Sequence, residues 1–189
     1  MFATIYLPNF YLQAATRHQP EFHAKPMALI EEQDRKPVII QLNDAAAKAG
    51  IRKGMTPSQA LARSLQVIIK VRARAQEKSM QEILLHYAFT LSPFVENTSP
   101  GVCTIQFTKW NRHPVENRLA GSQCHGNVLR VIEQLAKGEI AAQAAIAPTP
   151  DTSFLAAHLA RPVLDIENAK EFLAPLPIET LTTSSPDFL

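Results

Sequence analysis

Residues 1–17 read MFATIYLPNFYLQAATR. The run FATIY at 2–6 is short and β-prone, Leu7-Pro8-Asn9 is a turn, and residues 10–17 space their apolar side chains along one helical face with Asn9 placed to cap them. Strand, tight turn and helix therefore follow one another without a linker. The same alternation continues. MALIE (27–31) and VIIQL (38–42) are strands separated by the charged turn EQDRK, and Asn43-Asp44 is a capping pair before AAAKA, which Gly50 terminates. Thr56-Pro57-Ser58-Gln59 combines a capping threonine, proline at the first helical position and glutamine at the third, so LARS (61–64) continues a helix.

Farther along, LQVIIKV (65–71) predicts a strand and residues 73–88 a long helix. Phe94-Val95 and VCTIQFT (102–108) predict strands joined across Ser99-Pro100-Gly101. A polar loop is expected at 109–126, then helix NVLRVIEQLAK, strand EIAAQAAIA, a helix capped by Asp151 or Thr152 running to Ala160, and a short helical stretch near ENAKEFL. This order implies an α+β protein, a mixed sheet with helices packed on one face and residues of about 18–76 inserted as a smaller lobe.

Composition narrows the classes. With 189 residues, 46% of them hydrophobic, the chain buries a core without staples. It shows no signal-like start and no apolar run of membrane length, which reads as cytoplasmic. Cys103 and Cys124 are too few for a disulfide framework and lack zinc-ligand spacing, so they read as inert thiols. The net charge of +2 is mild. Its distribution is not: Arg52, Lys53, Arg63, Lys70, Arg72, Arg74 and Lys78 face a single acid, Glu77, within 52–78, forming a solvated helix face or a phosphate track.

Four strings, in order, resemble the Y-family translesion DNA polymerases of the UmuC/DinB type. The first palm motif, a strand ending D-x-D, falls on Leu7-Pro8-Asn9 and its following helix. The fingers motif N-Y-x-A-R-x-x-G-[VI]-x-x-x-M falls on Asn43 to Met55, and S-x-D-E-x-x-x-D falls on Ser99 to Gln106. The later G-[VI]-A helix motif falls on 145–160. The resemblance covers nearly the whole chain and implies a ferredoxin-like polymerase palm (1–17 and 77–165), a small inserted α/β fingers lobe (18–76), and a linker with the start of a truncated thumb (166–189).

In that family the metal ligands are the first aspartate of the first motif and the Asp-Glu of the second. Two magnesium ions need hard oxygen donors. Here Leu7, Gly101 and Val102 occupy those positions, with Asn9 at the other first-motif aspartate and Gln106 also neutral. The triphosphate-contacting tyrosine and arginine of the fingers correspond to Asp44 and Ala47, the steric gate to Leu12, and the lysine of the later helix to Ala157. Arg161-Pro162 stands near the family's Lys-Pro. No metal or cofactor is expected.

Within the family this pattern most resembles ImuB, the inactive homologue of the bacterial mutagenesis cassette. That implies a pseudoenzyme in DNA repair and the SOS response, nucleoid-associated and touching damaged DNA. Its implied partners are a sliding clamp, a separate replicative-type polymerase and a companion mutagenesis protein, held by segments beyond this chain. Weak backbone contact with DNA is expected from Lys70, Arg72, Arg74 and Lys78. Two other readings stay open: an active nucleotidyltransferase with relocated ligands, for which Glu31, Glu32 and Glu96 are the loose acids, and an unrelated α/β interaction domain. Trp110, between Lys109 and Arg112, is a candidate for base stacking. Cys124-His125 is a poor nucleophile pair, since adjacent residues do not easily meet in the needed geometry.

Overall fold

The computed structural model describes residues 1–17, 19, 22, 24–31, 36–107, 114–178 and 180, with the side chains of the helix beginning at Pro114 described from residue 123. The chain divides into two compact units, one comprising Met1–Pro8 and Ile83–Leu189, the other Asn9–Glu82.

The first unit is built on a five-stranded sheet ordered β5-β6-β1-β7-β8, from β1 (Phe2–Tyr6), β5 (Val95–Ser99), β6 (Val102–Gln106), β7 (Gln143–Ala147) and β8 (Val163–Asp165). The central strand β1 is antiparallel to β6 and β7, while β8 joins β7 in parallel. Both faces of β1 are buried. Ala3, Ile5 and Leu7 have no exposed surface. On the opposite face Thr4 bonds to Ser153 and Tyr6 stacks on His158, so helix α6 (Pro150–Ala157) covers that side. Helix α5 (Pro114–Lys137) packs against β7 and β8 and buries Val128, Val131, Ile132 and Leu135, a stripe at helical spacing. The single helical layer expected from the sequence is thus incomplete as a description, because α6 supplies cover on the second face.

In the second unit β2 (Met27–Ile30) lies between antiparallel β3 (Ile39–Leu42) and parallel β4 (Ile68–Val71). Period-two alternation sorts its side chains. Met27 and Leu29 pack with Leu12 of α1 (Phe10–Thr16). Ala28 packs with Ala46 of α2 (Asp44–Lys48) and Ala60 of α3 (Pro57–Arg63). The capping box on α3 is complete, with Thr56 accepting from the Gln59 amide and Gln59 reaching back to the Thr56 amide. Helix α4 (Arg74–Leu91) begins in this unit and ends in the first.

Several local expectations change. Asn9 does precede α1, but in a left-handed conformation (φ 49°) and with no side-chain cap bond. The polar loop expected at 109–126 is helical from Pro114, its residues 109–113 lying outside the described ones. Its polar, glycine-containing sequence has low helix propensity, which hid it; at Gly126 the missing side chain has nothing within 4 Å to meet. Helix α6 is capped by Thr149, not Asp151 or Thr152, and ends at Ala157. Strand β8 is three residues long beside Pro162 and carries no periodic signal. Helix α7 (Ala169–Leu173), capped by Asn168, lies where ENAKEFL predicts it.

Candidate functional site

The turn between β5 and β6, where the resemblance puts the second palm motif, lies against the end of β1. Tyr6 pairs with Val102 in register, and the Leu7 amide donates to the Gly101 carbonyl at 2.8 Å. Gly101 has φ 76°, the left-handed conformation that closes a tight turn at little cost to glycine. Leu7, Gly101 and Val102 are therefore brought together by main-chain bonding alone. Leu7 is fully buried and Val102 is 4% exposed. Hydrocarbon and a bare Cα supply no oxygen donor there. Among the described residues no three of His, Cys, Asp and Glu converge as a metal site.

Beside Val102, on the same face, the Tyr6 ring stacks on His158 with centroids 4.1 Å apart, and Phe154 closes on His158 at 4.8 Å. Burial lowers the His158 pKa, against its hydrogen bond to the Phe154 carbonyl, and burial raises that of the Tyr6 phenol. Both groups are thus driven toward their neutral forms. Ala157 is buried with Ala145 and Ala156, so the position matched to the family's lysine is core.

Deeper on this face runs a chain of hydroxyls whose direction follows from counting protons. Ser153 donates to the Pro150 carbonyl at 2.8 Å, so Thr4 donates to Ser153; Thr98 donates to Thr104, leaving the Thr104 proton for Thr4. This relay ties β5, β6 and β1 to α6. Nothing in the four family strings signals it.

In the second unit, Leu12 belongs to the apolar cluster with Met27 and Leu29, and its amide donates to Gln41 Oε1 at 3.0 Å. Asp44 is exposed at the start of α2 and Ala47 is half-buried. Asn43, the best-matched residue of the fingers string, serves structure: its Oδ1 accepts from the amides of Met27 and Ala46, and its Nδ2 donates to the Lys25 carbonyl. The carbonyl of Ala47 accepts from Arg52, a C-terminal cap the sequence reading did not single out.

The basic run is redistributed by pairing. Arg72 grips Glu77 through two bonds of 2.9 and 2.7 Å, reaches Glu31 at 2.8 Å, and lies over the Tyr11 ring at 3.9 Å. Its side chain is 18% exposed, and Arg74 shares Glu31 from the solvent side. The bond to Glu77, with help from Glu31 and against burial, raises the Arg72 pKa above its ordinary value. Burial opposes ionisation of Glu31, but the bonds from Arg74 and Arg72 outweigh it and hold the carboxyl below its ordinary value. Glu31 is accordingly not a loose turn acid, and Arg72 is occupied inside its own unit instead of standing free for phosphate. The sequence run hides this because Glu31 is 41 positions away. Lys78 is exposed and Lys70 half-buried.

The remaining candidates separate. Glu96 is exposed on β5, whereas Glu32, Lys109, Trp110 and Arg112 lie outside the described residues. Cys124 and His125 are consecutive on α5; His125 pairs with Asp165 at 2.7 Å, and burial raises the Cys124 thiol. They do not face one another. No described helix is long and apolar enough to cross a membrane.

A ferredoxin-like sheet with this hairpin, and a separate small α/β lobe, define a polymerase palm and fingers of the Y-family type. The model of the impB/mucB/samB family matches residues 5–158, and the chain belongs to that family. Among solved structures it is similar to DinB from Sulfolobus solfataricus, with TM-score 0.79, 16% identity, and coverage of 95% of this chain and 52% of that one. A post-insertion binary complex of Dbh DNA polymerase gives TM-score 0.79 at 17% identity over 95% and 52% of the two chains. An insertion ternary complex of Dbh gives 0.78 at 15% over 95% and 53%. The chain spans about half the length of these structures. No curated protein matches.

Proposed function

We propose that this chain is a non-catalytic polymerase-like module of a DNA-repair, translesion-synthesis adaptor, with Met1–Pro8 and Ile83–Leu189 serving as palm and Asn9–Glu82 as fingers. The observation that carries the reading is the bond from the Leu7 amide to the Gly101 carbonyl, which sets the palm positions side by side while their side chains are hydrocarbon or hydrogen. A two-metal mechanism needs anionic oxygens in that place to activate a primer hydroxyl and hold a triphosphate. Asp44 and Ala47, where the resemblance puts triphosphate contacts, give an acid and a methyl group, and an acid beside phosphate is repulsive.

DNA contact in this proposal is weak and directed to the backbone, through Lys70, Arg74 and Lys78, with Arg72 left to hold its two carboxylates. Such contacts position a duplex without reading its sequence. The ImuB-like role extends the proposal to a cytoplasmic, nucleoid-associated SOS pseudoenzyme that works with a sliding clamp, a replicative-type polymerase and a companion mutagenesis protein. Fold alone does not confer that role. Primer extension on a primed template with Mg²⁺ or Mn²⁺ tests the core of the reading. No incorporation is expected; extension by a preparation free of contaminating polymerase would instead favour relocated ligands.

A further inference from the structure

Two lysines in the second unit are gathered on one aromatic ring. Lys70 Nζ lies 4.8 Å and Lys25 Nζ 5.6 Å from the centroid of Phe22. The ring itself is anchored, packing against the buried cluster of Leu12, Met27 and Leu29. Both lysine backbones are fixed as well. Lys70 pairs with Leu29 in the sheet, and the Lys25 carbonyl accepts from Asn43 while its amide donates to the Phe22 carbonyl. Among the described residues neither ammonium is paired with a carboxylate, whereas Arg72 and Arg74 share Glu31. The ring's negative face attracts each ammonium, but the two like charges repel one another. An anion reaching both would relieve that repulsion without any rearrangement of the backbone.

We infer that Lys25 and Lys70, gathered by Phe22, form a contact site for the phosphates of a single DNA strand. The inference rests on the DNA-module reading and adds two residues to it, Phe22 and Lys25, that lie outside the basic run of the sequence. A nucleic-acid strand fits because it offers successive phosphates to a pair of point charges, and lysine binds phosphate as a point charge without demanding the planar geometry of an arginine fork.

The test is fluorescence anisotropy of a labelled oligodeoxythymidylate across a salt series, comparing the wild-type chain with Lys25→Gln/Lys70→Gln. Two lost phosphate contacts should flatten the slope of log K against log salt by about 1.4, so the ratio of the two affinities should close about sevenfold between about 50 and 200 mM salt. Phe22→Leu keeps apolar bulk and both charges, and is expected to weaken binding with the slope retained. Thermal unfolding of each variant checks that the fold persists. Wild-type binding with an unchanged slope in the double variant would overturn the site and leave the DNA reading standing. Absence of wild-type binding to both single- and double-stranded DNA at the lowest salt would overturn the reading and the site together. Displacement of the oligonucleotide by polyglutamate at equal charge would overturn the nucleic-acid assignment.

Discussion

Placing a carboxylate at Leu7, where the proposed reading puts the first metal-ligand position, should damage the fold. Leu7 has no exposed surface, so Leu7→Asp first forfeits packing of the large-to-small kind, about 2–5 kcal/mol. It then places an acid where water does not reach. A buried carboxyl rises by as much as about 3–5 pKa units from an unfolded value near 3.9. The sign follows from proton counts: above pH 4 the unfolded chain has released its proton while the folded chain retains it, so stability falls as pH rises. At about 1.4 kcal/mol per unit, the penalty approaches 4 kcal/mol by pH 7. Leu7→Asn shares the cavity and the polar burial but does not titrate. Urea unfolding of both variants from pH 4 to 7 should therefore show their midpoints diverging as pH rises, with Leu7→Asp the weaker. In Leu7→Asp/Gly101→Asp/Val102→Glu, the left-handed backbone at residue 101 (φ 76°) adds strain of about 1–2 kcal/mol. That triple variant should neither polymerise efficiently nor regain stability with Mg²⁺. Equal midpoints for the two single variants at pH 7, or metal-dependent recovery of the triple variant, would refute the reasoning.

The ion cluster makes a second expectation: Arg72→Ala strands Glu77, leaves Glu31 to Arg74 alone, and should cost about 3–5 kcal/mol, whereas Arg74→Ala, whose side chain is 63% exposed, should cost under about 1 kcal/mol. Similar urea midpoints for the two would dismiss Arg72 as a pin. Glu31, lowered from its ordinary 4.5, contributes stability fully present above that value and lost as pH falls through the lower folded one; an acid-unfolding profile unchanged in Glu31→Gln would contradict this. His158, lowered from 6.5 by burial, likewise contributes stability present above 6.5 and lost on acidification, so His158→Phe should flatten thermal stability between pH 7 and 5. Burial pushes the Cys103 thiol up to about 12, and thiol titration of the native protein at pH 8 should leave it unmodified until the chain unfolds. Rapid modification of both cysteines under native conditions would show that β6 opens.

Signals confined to neighbouring residues were legible in the sequence. The Thr56 to Gln59 box, the Ser99-Pro100-Gly101 turn and the apolar run of β2 each specify an element from residues within a few positions of one another. Pairings between distant residues were not. The Arg72–Glu31 bond, the Tyr6–His158 stack and the Thr4–Ser153 bond depend on which elements the fold brings together, and no periodicity announces them. Read locally, the basic run therefore looks freer than it is, and Lys25 and Phe22, outside it, carry no local signal.

The proposed palm positions follow a different physical logic. A polymerase palm brings its first and second motifs together through strand pairing, which needs main-chain amides and carbonyls and a residue tolerant of positive φ, but not the carboxylates themselves. Leu7, Gly101 and Val102 satisfy all of those backbone requirements. On the proposed reading, the absence of ligands carries little penalty for folding, and an apolar side chain there gains burial, about 1.5–3 kcal/mol for a leucine. In that same reading, the leucine that leaves the site without a ligand also stabilises the scaffold, so Leu7→Asp has to overcome the core that Leu7 helps to build.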